Sequence, residues 1–295
     1  MKKTVFTGSA VAIVTPMHAD GSIHWEKLGE LIDWQISQGT DALVICGTTG
    51  ESSTMTDDEH IESIRYAVER VAGRIPIIAG AGSNDTAYAV MLSKEAAQAG
   101  ADALLHVTPY YNKSSQTGLI RHFQTIADAT DLPVILYNVP SRTGCDIKPQ
   151  TYLELSKHPN IVAAKEANGS LSAAAVTASL CGEELTLYSG NDDQVLPLLS
   201  IGAKGVISVF ANILPRVMHD ICASYLEGGT EHSRRLFLRH LALMNDLFLD
   251  VNPIPVKEAM NLLGWEVGPC RLPLVPMGER EKQTLRRSLA DCGLL

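Results

Sequence analysis

No two of the six cysteines stand as a CxxC pair, and none has a histidine at a metal-ligand spacing. Cys46, Cys145, Cys181, Cys222, Cys270 and Cys292 are scattered, which excludes a redox motif, a zinc site and a disulfide frame. They read as buried free thiols in a reducing cytosol, so a cytoplasmic protein is expected. A long basic run is also missing: Lys and Arg number 24 against 33 Asp and Glu, a net charge of −9. That balance argues against a nucleic-acid partner and an acidic membrane surface. No apolar run approaches the roughly 18 residues of a membrane helix. Lys2-Lys3 followed by Gly8–Val14 imitates a secretory leader, but the apolar part is short and runs into Thr15-Pro16 and a charged helix. A first strand is expected there.

What the chain does have is hydrophobic residues, 45% of 295, enough for one large α/β domain or two ordinary ones. Short apolar runs start near Ser9, Ala42, Pro76, Ala103, Pro133, Ile161, Thr186 and Gly205, each followed by a helical pattern. Gly39, Gly100 and Gly202 each end a helix just before a strand. Pro76 and Pro133 stand at strand starts, where a missing N–H is tolerated. Thr56-Asp57-Asp58-Glu59 forms a capping box, and Asn84-Asp85-Thr86 opens the next helix. The strand runs show no polar alternation, which implies burial on both faces and a parallel sheet with helices outside. Eight such units predict an α/β fold, a (β/α)8 TIM barrel over residues 1–228. Residues 229–295 read as a three-helix C-terminal appendage, with helices over 230–250, 253–264 and 278–292.

The carboxyl ends of barrel strands carry active sites, and several reactive groups fall there. Lys165 follows the buried run Ile161-Val162-Ala163-Ala164. Burial disfavours an ammonium and favours a neutral amine able to attack a carbonyl; the plain alternative is a lysine that snorkels to solvent. Tyr137 ends the neighbouring strand and is either a proton relay or a core aromatic. Gly47-Thr48-Thr49-Gly50-Glu51 after the second strand is either a turn or a loop whose N–H and hydroxyl groups hold a small carboxylate. Arg142, on the loop after Tyr137, is a surface charge or a carboxylate clamp. Tyr110 and Tyr111 follow strand four. Together an amine, a phenol, hydroxyls and a guanidinium at one barrel mouth point to Schiff-base chemistry on a keto acid. A catalytically inert binding barrel would keep the scaffold glycines and prolines while losing some of these groups.

The motifs at 47–51, 110–111, 137–144, Lys165 and Asn252-Pro253-Ile254-Pro255-Val256-Lys257 resemble, over essentially the whole chain, the 4-hydroxy-tetrahydrodipicolinate synthase family. That family lies within the N-acetylneuraminate lyase, or class I aldolase, superfamily. The resemblance implies an imine between Lys165 and pyruvate, whose enamine attacks L-aspartate-4-semialdehyde, in lysine and diaminopimelate biosynthesis. It implies Tyr137 as proton relay, linked through Thr49 to Tyr111 of a neighbouring subunit. Thr48 and Thr49 would hold the pyruvate carboxylate, Arg142 the semialdehyde carboxylate, and Gly190 and Ile207 would line the pocket. A homotetramer built as a dimer of dimers, with no metal and no organic cofactor, is also implied. The runner-up is an N-acetylneuraminate lyase or keto-deoxy-sugar aldolase, in which a clamp at Arg142 is not expected. In lysine-inhibited relatives the regulatory cleft uses positions matching Ser52, Ser53, Asp57, His60, Asn84, Tyr88 and Tyr110. Those relatives carry a histidine where this chain has Asp57 and a glutamate where it has Tyr88, so weak or no inhibition by lysine is expected.

Overall fold

Eight strands build the scaffold: β1 Gly8–Ala12, β2 Ala42–Ile45, β3 Ile77–Gly80, β4 Ala103–Val107, β5 Val134–Asn138, β6 Ile161–Glu166, β7 Thr186–Ser189 and β8 Gly205–Ser208. The computed structural model describes residue 2 and residues 4–295. Lys3, half of the basic pair in the leader-like stretch, lies outside the described residues. Neighbouring strands are all parallel and β8 pairs back to β1, closing the (β/α)8 barrel that the recurring units predict. The helices, in chain order, are α1 Trp25–Ser37, α2 Asp57–Val71, α3 Thr86–Gln98, α4 Gln116–Asp128, α5 Pro140–Thr143, α6 Pro149–Leu155, α7 Leu171–Cys181, α8 Val195–Ser200 and α9 Pro215–Leu226. Then come α10 Thr230–Asp246, α11 Ile254–Leu262 and α12 Glu279–Asp291, within the three predicted stretches.

The local signals act as their chemistry requires. Gly39, Gly100 and Gly202 all take positive φ. After α1 the Gly39 N–H reaches Ile36 O and the Thr40 N–H reaches Gln35 O, the paired bonds of a Schellman stop, and the same pair recurs after α3 and α8. Pro76 and Pro133 stand one residue before β3 and β5. Their carbonyls accept from Leu43 and Leu104, and no N–H is asked of them. The capping box at Thr56 and Glu59 is present, and Asp85 caps α3.

Inside the barrel, small residues such as Ala10, Ala12, Ala42 and Ala103 leave room for Tyr137 and Tyr188. Phe6 stacks on Tyr188 at 4.2 Å, and the Tyr188 hydroxyl donates to the backbone oxygen of Phe6 at 2.7 Å, closing the amino-terminal end. Outward-facing neighbours such as Val11, Leu43 and Leu104 pack with the helices.

One irregularity decides what faces inward. Val134 pairs with Ile161 but Ile135 pairs with Ala163, so Val162 is an extra residue, a β-bulge in β6. Ile161 therefore packs outward while Ala163, two residues on, packs inward. Regular alternation from Ala163 then puts Lys165 on the inner face, directly opposite Tyr137, and Glu166 on the outer face opposite Asn138. Among the described residues all six cysteines are free, although Cys270 and Cys292 are only half-buried. Among the described residues no helix is long and apolar enough to cross a membrane, and no group of acid, histidine and cysteine side chains could hold a metal ion.

Candidate active site

Lys165 is 6% exposed and next to last in β6, which Glu166 completes. Its Nζ lies 4.1 Å from the centroid of the Tyr137 ring, so the buried amine has an aromatic face for a partner. Tyr137 is itself 7% exposed. Beside them, a Cβ on Gly190 would come within 2.7 Å of Ala167 Cβ and 3.2 Å of Lys165 Cγ. Only glycine lets the chain leaving β7 approach the lysine stem this closely. Ile207, fully buried and paired with Ala10, closes the same interior from β8.

The loop after β2 is bracketed by two non-glycine residues in the left-handed region, Cys46 (φ 55°) and Glu51 (φ 59°). Such residues store strain that the surroundings must hold. The holding groups come from α11 and from the chain on either side of it. Lys257 and Glu51 form an ion pair of 2.8 Å, with both side chains almost wholly buried. Lys257 also donates to Thr15 O and Pro269 O, and Glu51 accepts from the Arg271 N–H. Asn252 donates to Thr49 Oγ1 at 3.0 Å, fixing a hydroxyl that is 3% exposed. Thr48 lines a small cavity together with Tyr137, Gly47, Ser52 and Gly80.

Arg142 is exposed on α5, and its guanidinium donates to Asn252 O at 3.2 Å. The end of α5 is tied down, because Thr143 Oγ1 accepts from both Thr108 Oγ1 and the Cys145 N–H. Tyr111 is not brought to Lys165 within one chain. It is 93% exposed, on a left-handed backbone (φ 68°).

The candidate regulatory residues do not form one bonded cluster. The Tyr88 hydroxyl donates to Asp57 Oδ1, and burial together with that carboxylate raises the phenol to about 12. Asn84 donates to Tyr110 O at 3.1 Å and accepts from Asn112. His60 is buried with its Nε2 against Gly80 O at 2.7 Å, and burial lowers its pKa. Ser52 faces the Thr48 cavity instead.

Sequence reasoning missed Asn138, Glu166 and Tyr152, which meet behind the barrel wall, and assigned no roles to Asn252 and Lys257. The available signal was a polar residue at the end of an otherwise apolar strand. Burial raises Glu166 to about 7, against bonds donated by the Asn168 N–H, Asn138 and Tyr152.

A profile of the dihydrodipicolinate synthetase family matches residues 5–292. A 4-hydroxy-tetrahydrodipicolinate synthase of Caldicellulosiruptor bescii is 54% identical over 291 residues, 99% of this chain and 98% of that protein. One from Acetivibrio thermocellus is 53% identical over the full length of both. The solved dihydrodipicolinate synthase of Acinetobacter baumannii, chloride inhibited and complexed with pyruvate, superposes with a TM-score of 0.97 at 43% identity, covering 99% of this chain and 100% of that one. That of Cyanidioschyzon merolae, with lysine bound, gives 0.96 at 40% identity over 99% and 100%.

Proposed function

The chain belongs to the dihydrodipicolinate synthetase family, and from that premise we propose that Lys165 carries the condensation of pyruvate with L-aspartate-4-semialdehyde to 4-hydroxy-tetrahydrodipicolinate. The enzyme is a Schiff-base-forming lyase. The relatives described support this reading and not the sugar-acid lyase one. The single observation that carries Lys165 is its place: a buried amine at the barrel mouth, over the face of Tyr137. The neutral amine attacks the keto carbon, and loss of one water gives the imine. A methyl proton leaves to form the enamine, whose terminal carbon attacks the aldehyde. The substrate's own amino group then attacks the imine carbon and releases Lys165. Tyr137 moves protons in the carbinolamine steps. Thr48 and Thr49 hold the keto-acid carboxylate and Arg142 the semialdehyde carboxylate, while Gly190 and Ile207 shape the pocket.

Tyr111 completes the proton path from a second copy of the chain, in a homotetramer made of two tight dimers. The exposure of its ring supports this reading. Free thiols and a biosynthetic reaction suit the cytoplasm. The test is borohydride reduction in the presence of pyruvate. A covalent mass gain mapping to Lys165, lost in Lys165→Arg, is expected; an adduct elsewhere, or none, refutes the assignment.

A further inference from the structure

Behind the catalytic face, the ends of β5 and β6 are joined by side chains on the outer side of the barrel wall. Asn138 follows Tyr137, Glu166 follows Lys165, and the two are opposite one another in register. Asn138 Nδ2 donates to Glu166 Oε1 at 3.1 Å and Oε2 at 3.3 Å, and to Asp146 Oδ1 at 2.9 Å. The side-chain Oδ1 of Asn138 accepts from the Ile147 N–H at 3.1 Å. Glu166 further accepts from the Tyr152 hydroxyl at 2.9 Å and the Asn168 N–H at 2.8 Å. Every group hydrogen-bonded to Glu166 is a donor, which matches a carboxylate acceptor although the nearby Asp146 carboxylate opposes its charge, and the amide of Asn138 has both N–H groups and its oxygen engaged. Asn138, Tyr152 and Glu166 are all buried.

Packing alone does not account for this cluster, since a buried carboxylate costs stability that an apolar pair would not. Register does. Ile161, Val162, Ala163 and Ala164 are small or apolar and suit either face of the strand, and the bulge at Val162 already shifts them once. A slip of one residue would carry Lys165 to the outside and Glu166 to the inside. We propose that Glu166, held by Asn138 and Tyr152, is a positioning residue that keeps Lys165 and Tyr137 facing the keto acid in one register. This inference rests on the Schiff-base reading above.

The test measures the rate of pyruvate imine formation at Lys165 by timed borohydride trapping, alongside kcat and the melting temperature. In Glu166→Gln one amide N–H replaces an acceptor among donors. Imine formation and kcat fall together by about 10- to 100-fold, the scale of a small misplacement of reacting groups, in a protein that still folds. Should Glu166→Gln not fold, Tyr152→Phe removes a single donor and slows imine formation several-fold. A lower melting temperature with unchanged imine formation in the folded variant overturns the proposal. No adduct in the unsubstituted protein overturns the Schiff-base reading and this proposal with it. An adduct formed equally fast in both overturns the positioning role alone.

Discussion

At the scale of single residues the site separates groups that are held from groups that are free to meet a ligand. Lys165, Tyr137 and Thr49 are buried and fixed, whereas Arg142 is exposed and bonded through one nitrogen to Asn252 O. Tyr137→Phe keeps the ring beneath the amine and removes only the hydroxyl. Turnover is expected to fall by about 10²–10⁴, the usual worth of a positioned acid-base group, and a loss under tenfold in steady-state assays would mean that the phenol only packs. Arg142→Ala removes a fork of donors matched to a carboxylate that only the second substrate brings. The KM for aspartate semialdehyde should rise while imine trapping with pyruvate stays near its original rate. Equal losses for both substrates would show that the side chain supports the loop rather than reading the aldehyde.

At the scale of elements, the C-terminal helices are part of the barrel mouth. The Glu51–Lys257 pair joins residues 206 apart in sequence and anchors the strained Thr48-Thr49 loop. Lys257→Met leaves the Glu51 carboxylate buried without its cation, an expected loss of about 3–5 kcal/mol, measurable as a lower denaturant midpoint. A loss under about 1 kcal/mol, the range of exposed pairs, would show that water reaches the carboxylate. Neither partner of this pair advertises the other in the sequence, because nothing local brings Glu51 to α11. The strands and helix stops, by contrast, were legible, since glycine stops and double-faced apolar runs are local chemistry. The positions of Lys165 and Tyr137 near the carboxyl ends of β6 and β5 were legible from polar residues closing apolar runs, although each strand runs one residue further, to Glu166 and Asn138. The bulge at Val162 was not, because Val162 and Ala163 are apolar and suit either face. The roles of Asn138 and Glu166 depend on where α6 places Tyr152, which no spacing within β5 or β6 contains.

At the scale of the whole molecule, what one chain leaves exposed sets the remaining expectations. Tyr111, 93% exposed, is expected to act on the Lys165 of a second copy. Mixing the inactive variants Lys165→Ala and Tyr111→Phe under conditions of subunit exchange should restore some turnover, and none despite proven exchange would count against a shared site. The response to free L-lysine follows from the other face of the same region. In a lysine-binding cleft of the kind implied by the resemblance, a carboxylate at the position of Tyr88 would meet the ammonium. Here that position offers a neutral phenol, and the phenol is already spent on the Asp57 carboxylate at the start of α2. His60 is turned to Gly80 O rather than toward solvent. Losing one charge-assisted hydrogen bond is worth about 1.5–3 kcal/mol, or roughly 10–150-fold in affinity. An incoming ammonium would also have to displace the Tyr88 hydroxyl from Asp57 to recover part of it. The enzyme is therefore expected to be insensitive, or nearly so, to millimolar L-lysine. Titration of lysine into the coupled assay decides the matter. Half-inhibition below about 1 mM, roughly −4 kcal/mol of binding, would mean that Asp57 serves as the missing carboxylate despite its bond to Tyr88.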